Sequence, residues 1–526
     1  MRDENESLLR LVSSTESTPL CSPTALRRRA VTLLAAIGTV LALAPDTRAQ
    51  DAAPTPTAAP IQWDANYRSA GNRPLGSNSF GELIQEGPTG GIWQRGTLLG
   101  DLGGVRSTLG GYGVSLSLVE TSEVLGDVSG GTSEGIDYDG LTTLTIQMDT
   151  QRAFGWRGGL INVSALDNHG DNLSANDLGT LQTSSGIEAD RSDRLWEAWY
   201  QQTFLYGRAD IKIGQQSLDQ EFMDSQYAGL FVNTMFGWPM IPSADLLSGG
   251  PAYPLSALGV RFRAQPEGPW SYLVGVFDDN ASGLASGAAG DSQVLDNHGV
   301  NFRLRDHPLY IAEIQYSSPA LGSLEYAGDR GVLPGVYRLG FWYDDGKFAD
   351  QEFGRDGLSL ANPASNGVPR LHQGNYSVYA VADQLIWRER PDTEEGIGIF
   401  FRGMGAPSDR NLVSFSLNAG ITYREPFEHR EDDVVGLGMG YAQVSSRAAS
   451  LDRDSNDDSG ANGPVRTGET FVELTYQYQI VPWWTVQPDL QYVLRPGGGI
   501  ANPHDPSGTS RVGNELVLGL RTNITF

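Results

Sequence analysis

The sequence predicts an all-β chain: a transmembrane antiparallel β-barrel of about 16 strands, or 18, with a short N-terminal helix. Three observations carry this expectation. Apolar and polar residues alternate with a period of two from Val114 to the last residue, an export leader stands at the N-terminus, and only 39% of the 526 residues are hydrophobic. A helical membrane protein needs repeated apolar runs of roughly 18 residues, which this composition lacks, whereas barrel strands need only one apolar side. The 63 acids against 37 bases leave a net charge of −26, which argues against nucleic acid as a partner because a phosphate backbone calls for a basic surface.

The sustained apolar run Ala30 to Ala44 follows Arg27, Arg28 and Arg29, and Thr47-Arg48-Ala49 supplies small residues at a cleavage site. Residues 1–49 are therefore expected to be a secretory signal peptide, with Gln50 the first mature residue. The acidic stretch ahead of Arg27 is long for such a leader and reads as lying upstream of the true start. Removing residues 1–49 takes six arginines and five acids, leaving 31 bases, 58 acids and a net charge of −27. It also takes Cys21, the lone cysteine, so the mature chain needs no oxidative folding.

Residues 50–92 form an Ala/Pro/polar segment expected to be flexible. From Trp93 to Leu109, the residues Leu98, Leu99, Leu102, Val105 and Leu109 recur mostly three or four apart and predict the short amphipathic helix. The period then becomes two. At the C-terminus Leu516, Leu518, Leu520, Ile524 and Phe526 share one strand face, with Thr522 as its exception. Trp484, Val486, Leu490 and Tyr492 alternate with Thr485, Gln487, Asp489 and Gln491, and Val472, Leu474, Tyr476 and Tyr478 alternate with Glu473, Thr475 and Gln477. About seventeen such runs can be counted; a single-chain bacterial barrel has an even number, so at least one is spurious. Aromatics near strand ends, including Tyr310, Tyr316, Tyr423, Tyr441 and Tyr492, suit interfacial girdles. Charged residues on the polar faces, together with the leader, favour this barrel over a soluble sandwich or propeller.

Specific blocks resemble the carbohydrate-selective porins of the OprB family. They are Trp93-Gln94-Arg95 with Leu98 to Arg106, Glu197-Ala198-Trp199-Tyr200, Gly214-Gln215-Gln216 through Phe236-Gly237-Trp238-Pro239, Pro251 to Leu255, and Gln487-Pro488-Asp489-Leu490-Gln491-Tyr492. The resemblance spans residues 93–526 and departs at Leu102, where the family tends to carry Trp. It implies a barrel in the Gram-negative outer membrane that admits monosaccharides and polyols by diffusion. The partners it implies are sugars, outer-membrane lipid with lipopolysaccharide, and barrel-assembly machinery. Copy number stays open between monomer and homotrimer.

With the apolar face of each strand toward lipid, the candidate pore-lining and sugar-binding residues are Arg261, Arg263, Arg303, Arg305, Arg338, Glu197, Trp199, Asp210, Lys212 and Asp489. The arginines are expected to form a cationic stripe on one wall, facing the carboxylates. Arginine forks donate to vicinal hydroxyls, carboxylates accept from others, and Trp199 or Trp238 can stack on a sugar ring. The connection from Gln215 to Leu258 holds Phe222, Leu230, Phe231, Phe236 and Trp238; so apolar a segment is expected to fold inside the barrel and narrow it, a cover over the extracellular rim being the alternative.

Catalytic and metal motifs do not assemble. Gly131-Thr132-Ser133-Glu134-Gly135 fits G-x-S-x-G but lies in a Gly/Asp-rich stretch without strand-to-helix context. The six histidines stand singly, and the calcium-like start Asp452 to Asn456 lacks the required Gly and Glu. The chain is expected to be no enzyme and to need no cofactor or metal. A general or anion-preferring porin is the alternative function, and an outer-membrane barrel enzyme a weaker one.

Overall fold

The computed structural model describes residues 91–283, 290–318, 333–388 and 396–526. The expected signal peptide, residues 1–49, and residues 50–90 lie outside the described residues. Sixteen strands are found among those described: β1 (Val114–Gly131), β2 (Gly135–Asp149), β3 (Gly159–Gly170), β4 (Ser192–Phe204), β5 (Ala209–Gln216), β6 (Ala257–Ala264), β7 (Trp270–Asp278) and β8 (Pro308–Ser318), followed by β9 (Gly335–Gly354), β10 (Pro369–Trp387), β11 (Gly396–Gly405), β12 (Val413–Arg424), β13 (Val434–Val444), β14 (Gly468–Val481), β15 (Trp484–Leu494) and β16 (Gly513–Thr525). Each pairs antiparallel with its sequence neighbours, and β16 pairs with β1, so no strand edge is left open.

Period-two patterning explains the wall. Along β15, Thr485, Gln487, Asp489 and Gln491 are buried inside, while Leu490 and Tyr492 point outward and stay exposed. Outward aromatics meet across strands near both rims. Trp270 and Tyr316 stack edge-on at 4.9 Å and Trp387 meets Tyr423 at 6.1 Å at the rim of the chain ends, whereas Tyr310 meets Tyr343 and Phe415 meets Tyr441, both at 6.4 Å, at the other. Such girdles mark the two boundaries of an apolar band.

The structure bears out the expected sixteen strands and shortens the N-terminal helix. Only Val105–Gly111 is α-helical; Gly103 and Gly104 take φ of 69° and 98°, left-handed values that break the turns before it. The segment instead seals the end of the barrel: Leu98 N donates to Thr525 O at 2.8 Å, Arg106 reaches Phe526 O, and Trp483 Nε1 donates to Ile92 O at 2.7 Å. Val300 to Arg305 is not a strand but part of the β7–β8 connection, which removes a run from the count. Asp452 to Asn456 lies within the helix Ser446–Ser459, so it forms no calcium loop.

Among the described residues the long connections leave from the rim opposite the termini, and two of them turn into the barrel. The larger, residues 217–256, carries nearly half of the main buried apolar cluster, including Phe222, Leu230, Phe231, Met235, Phe236 and Ile241. Its seat is a floor of inward glycines. A Cβ on Gly436 would stand 2.6 Å from Leu230 Cδ2, one on Gly438 2.6 Å from Phe236 Cζ, and one on Gly398 2.2 Å from Tyr227 Cε1. Phe231 and Phe236 lie 4.4 Å apart and meet Phe400 at 5.7 and 5.6 Å. Gly438→Val is expected to overpack this seat at a cost of about 1–3 kcal/mol. A thermal melt should show the loss, with the barrel still forming; an unchanged melting temperature would mean that the loop does not bear on the floor.

Candidate functional site

The inner loop is fixed by wall side chains that reach its backbone. Burying a loop leaves its N–H and C=O groups without water, so each needs a partner. Glu473 on β14 accepts from Val232 N at 2.6 Å and Asn233 N at 3.1 Å. Asp383 on β10 accepts from Ser225 Oγ at 2.6 Å and Gln226 N at 3.2 Å, and Glu313 on β8 accepts from Met223 N at 3.0 Å. Arg402 on β11, 1% exposed, donates to Met223 O at 2.8 Å, to Gly237 O at 3.0 Å and to Met235 O. One guanidinium thus gathers two separated stretches of the loop.

The second inward connection, residues 171–191, packs beside the first. Glu469 accepts from Leu181 N at 2.7 Å and Gln182 N at 2.8 Å, and Gly186 N donates to Val232 O of the larger loop at 2.9 Å. Leu173 and Leu178 are buried against Leu125 and Val517 of the wall.

An ion-pair cluster closes the start of the larger loop. Glu221 bonds Lys212 on β5 and accepts from Arg261 Nη2 on β6 at 3.0 Å; Arg261 also bonds Asp210, whose second oxygen accepts from Arg263 Nε at 2.8 Å. Burial by itself would raise the Glu221 carboxyl, but Arg261, Lys212 and Arg263 together outweigh it and hold the group well below the usual carboxylate range. Lys212 Nζ also sits over the Trp199 ring, 4.4 Å from its centroid. Glu197 accepts from Ser217 N at 3.1 Å.

The expected lumen residues therefore divide. Arg261, Lys212, Asp210, Glu197 and Trp199 meet in this cluster. Arg338 lies 9% exposed, paired with Asp383 at 2.6 Å, and Asp489 accepts from Gln491 Nε2 at 2.9 Å under the loop. Arg303 pairs with Asp306 in the β7–β8 connection, where Arg305 is exposed. Among the described residues no one-signed stripe forms on β5 and β6: Arg263 lies directly opposite Asp210, which also pairs with Arg261, and Glu221 joins Lys212 and Arg261, because charges this buried must pair with a neighbour rather than face an opposite wall. Trp238 is 6% exposed, its Nε1 donating to Gly249 O at 2.8 Å inside the loop, so it offers no stacking face.

Groups that remain open beside the loop are Asp224, exposed, and Arg263, whose side chain is 32% exposed, with the edge of Glu221 between buried cations. Asp224 lay outside the expectations; its only sequence signal was a carboxylate in the middle of an apolar connection. Donors and acceptors of both signs thus stand side by side at the start of the larger loop.

Known proteins share this architecture. The model of the family described as "Carbohydrate-selective porin, OprB family" matches residues 133–526. Porin B of Pseudomonas aeruginosa is 25% identical over 453 residues, 82% of this chain and 91% of that protein. The putative porin QuiX of Acinetobacter baylyi is 24% identical over 449 residues, 82% of this chain and 93% of its own. Among solved structures, the high-pH structure of Pseudomonas putida OprB superposes with a TM-score of 0.69 at 23% identity, covering 83% of this chain and all of that one, a likeness of fold.

Proposed function

Because the chain belongs to the carbohydrate-selective porin, OprB family, and is thus a sugar-selective channel of the Gram-negative outer membrane, we propose that it passes glucose-sized monosaccharides and polyols by passive diffusion and carries out no reaction. The observation that supports this most is the cluster at the start of the larger loop, where partly exposed Arg263 stands with Asp210, Glu221, Lys212 and Arg261, so that donors and acceptors of both signs lie side by side. A hydroxylated neutral solute exchanges its water for these groups at little cost, while an apolar solute gains nothing in return. Of the residues expected from the sequence, Arg263 and Trp199 are proposed to touch sugar; Arg261, Lys212, Glu197, Asp210, Arg338 and Asp489 shape the gap from behind. Arg303 and Arg305 are proposed to act at the extracellular approach. The general or anion-preferring reading is disfavoured by the pairing of the arginines with Asp210, Glu221 and Asp383. The terminal strand ending in Phe526 is proposed as the signal for barrel-assembly machinery.

Liposome swelling with glucose, a disaccharide and a neutral amino acid smaller than glucose tests this. Glucose is expected to enter faster than both. Rates that fall simply with solute size would sink the sugar preference.

A further inference from the structure

Several buried carboxylates of this barrel are answered by donors on both oxygens. Glu469 takes Leu181 N, Gln182 N and Gly497 N, Glu473 takes Val232 N and Asn233 N, and Asp383 takes Ser225 Oγ, Gln226 N and Arg338. Asp279, at the start of the β7–β8 connection, and Asp344 on β9 differ. They are 1% and 0% exposed, and the Oδ2 atom of each has no hydrogen-bond partner among the described residues. A polar atom left alone at such burial calls for a partner of some kind.

The backbone holds both groups in one corner. Asp344 Oδ1 accepts from Gly346 N at 2.7 Å and Asp279 Oδ1 from His307 N at 3.1 Å, so each carboxylate is fixed by one oxygen and presents the other. Leu309 of β8 stands opposite Asp344, one residue beyond the Tyr310–Tyr343 contact, which puts the corner at the rim opposite the chain ends. There the two carboxyls meet side chain to side chain. The place a Cβ would take on Gly346 lies 2.9 Å from Asp344 Oδ1 and 3.0 Å from Asp279 Oδ2, so the glycine keeps room beside both. Asp278 flanks Asp279, its oxygens taking Asn280 N at 3.1 Å and Asp306 N at 3.4 Å, and Asp345 follows Asp344. The corner is therefore strongly negative.

We propose that this corner binds a calcium ion, which pins the β7–β8 connection to β9. Two carboxylates in contact repel each other unless a cation or a proton stands between them. A proton shared by the pair neutralises one charge and leaves the other beside Asp278 and Asp345, whereas a divalent ion matches both and gives each free oxygen a partner. Oxygen donors alone select a hard cation. Among the described residues no three His, Cys, Asp or Glu side chains gather to hold a metal, so the shell here is two carboxylates completed by carbonyl oxygens and water. Calcium tolerates so irregular a shell and magnesium does not; open sites of this kind hold calcium at about 10⁻⁴–10⁻³ M. The two ligands sit on separate elements, which is why no linear motif announces them.

Terbium, a calcium stand-in whose emission is excited through a nearby indole, tests this on the EDTA-washed full-length protein in detergent. Trp342, 1% exposed, lies two residues before Asp344 on the same inward face of β9. Tryptophan excitation is expected to give terbium emission that calcium displaces. Asp279→Asn/Asp344→Asn should bind terbium at least tenfold more weakly, and Trp342→Phe should lose the emission while calorimetry still shows calcium bound. Asp457→Asn/Asp458→Asn, exposed on the helix Ser446–Ser459, should leave the emission unchanged. Calcium should also raise the melting temperature of the unsubstituted protein. The proposal is overturned if emission is absent, if both double variants weaken it alike, or if calcium leaves that melting temperature where it was, as it would where the pair shares a proton instead. The last readout needs no variant, so it decides even where a substitution prevents folding.

Discussion

Replacing Arg402 with alanine is expected to raise single-channel conductance roughly threefold or more, as the inner loop loses its central tether. The guanidinium is 1% exposed and holds carbonyls of Met223, Met235 and Gly237 at once, with Asn418 Oδ1 at 3.2 Å behind it. Without it, buried carbonyls are left unpaired, at about 1–3 kcal/mol each. Admitting water by moving the loop relieves that cost, and the movement widens the gap. Discrimination between glucose and larger sugars should fall in parallel. Arg402→Lys, a point donor in place of a fork, should land between the two. Heat-modifiable mobility on SDS gels checks that the barrel has formed, and unchanged conductance in a folded Arg402→Ala barrel would show that the glycine floor and carboxylate contacts alone hold the loop.

The second large effect is expected from Glu221→Gln. Glu221 sits between Lys212 and Arg261 and balances a cluster whose other carboxylates are Asp210 and Glu197. Neutralising it leaves buried positive charge facing the gap, so reversal potentials in a salt gradient should shift toward chloride, and glucose flux should fall about tenfold as the loop entry rearranges. Destabilisation on the order of 3 kcal/mol is expected from stranding its partners. The pH response follows from the same contacts. Since the folded carboxyl lies below its unfolded value of about 4.3, its stabilisation is complete above that pH and is lost only as pH falls through the depressed folded value. Selectivity of the unsubstituted channel should therefore hold through mild acid, and a midpoint near pH 4–5 would contradict the clamped state of Glu221.

Much of the wall was legible from alternation alone. The inward and outward faces of β14, β15 and β16 follow directly from their sequences, because a strand exposed to lipid on one side leaves a period of two. The inner loop was legible from its cargo of Phe222, Phe231, Phe236 and Trp238, too apolar for water. Strand register was not. Parity places Arg261, Arg263 and Asp210 inside, but only pairing of β5 with β6 reveals that they neutralise one another locally. The alternation through Val300 to Arg305 misled because the stretch runs through the β7–β8 connection, where Arg303 alone is partly covered and the pattern of the sequence matches no pattern of burial. The second inward connection carries too few large apolar residues to announce itself, and is held by polar contacts from Glu469, Glu123 and Gln491 of the wall. The run Gly436-Leu437-Gly438-Met439-Gly440 was an unread signal: an inward face without side chains is room reserved for something else.

The tethers of the inner loop also set an order of events. Its partners lie far along the chain: Arg402 binds it across 179 and 167 residues, Glu473 across 241, and Arg521 reaches Val232 O across 289. None of these contacts can form until β11, β14 and β16 have taken their places, and contacts of such separation come late and slowly. A newly closed barrel must therefore pass through a wide-bore state before its loop docks. Dye leakage recorded during refolding into vesicles should rise as the barrel closes and then subside, with the second phase slowed in Arg402→Ala.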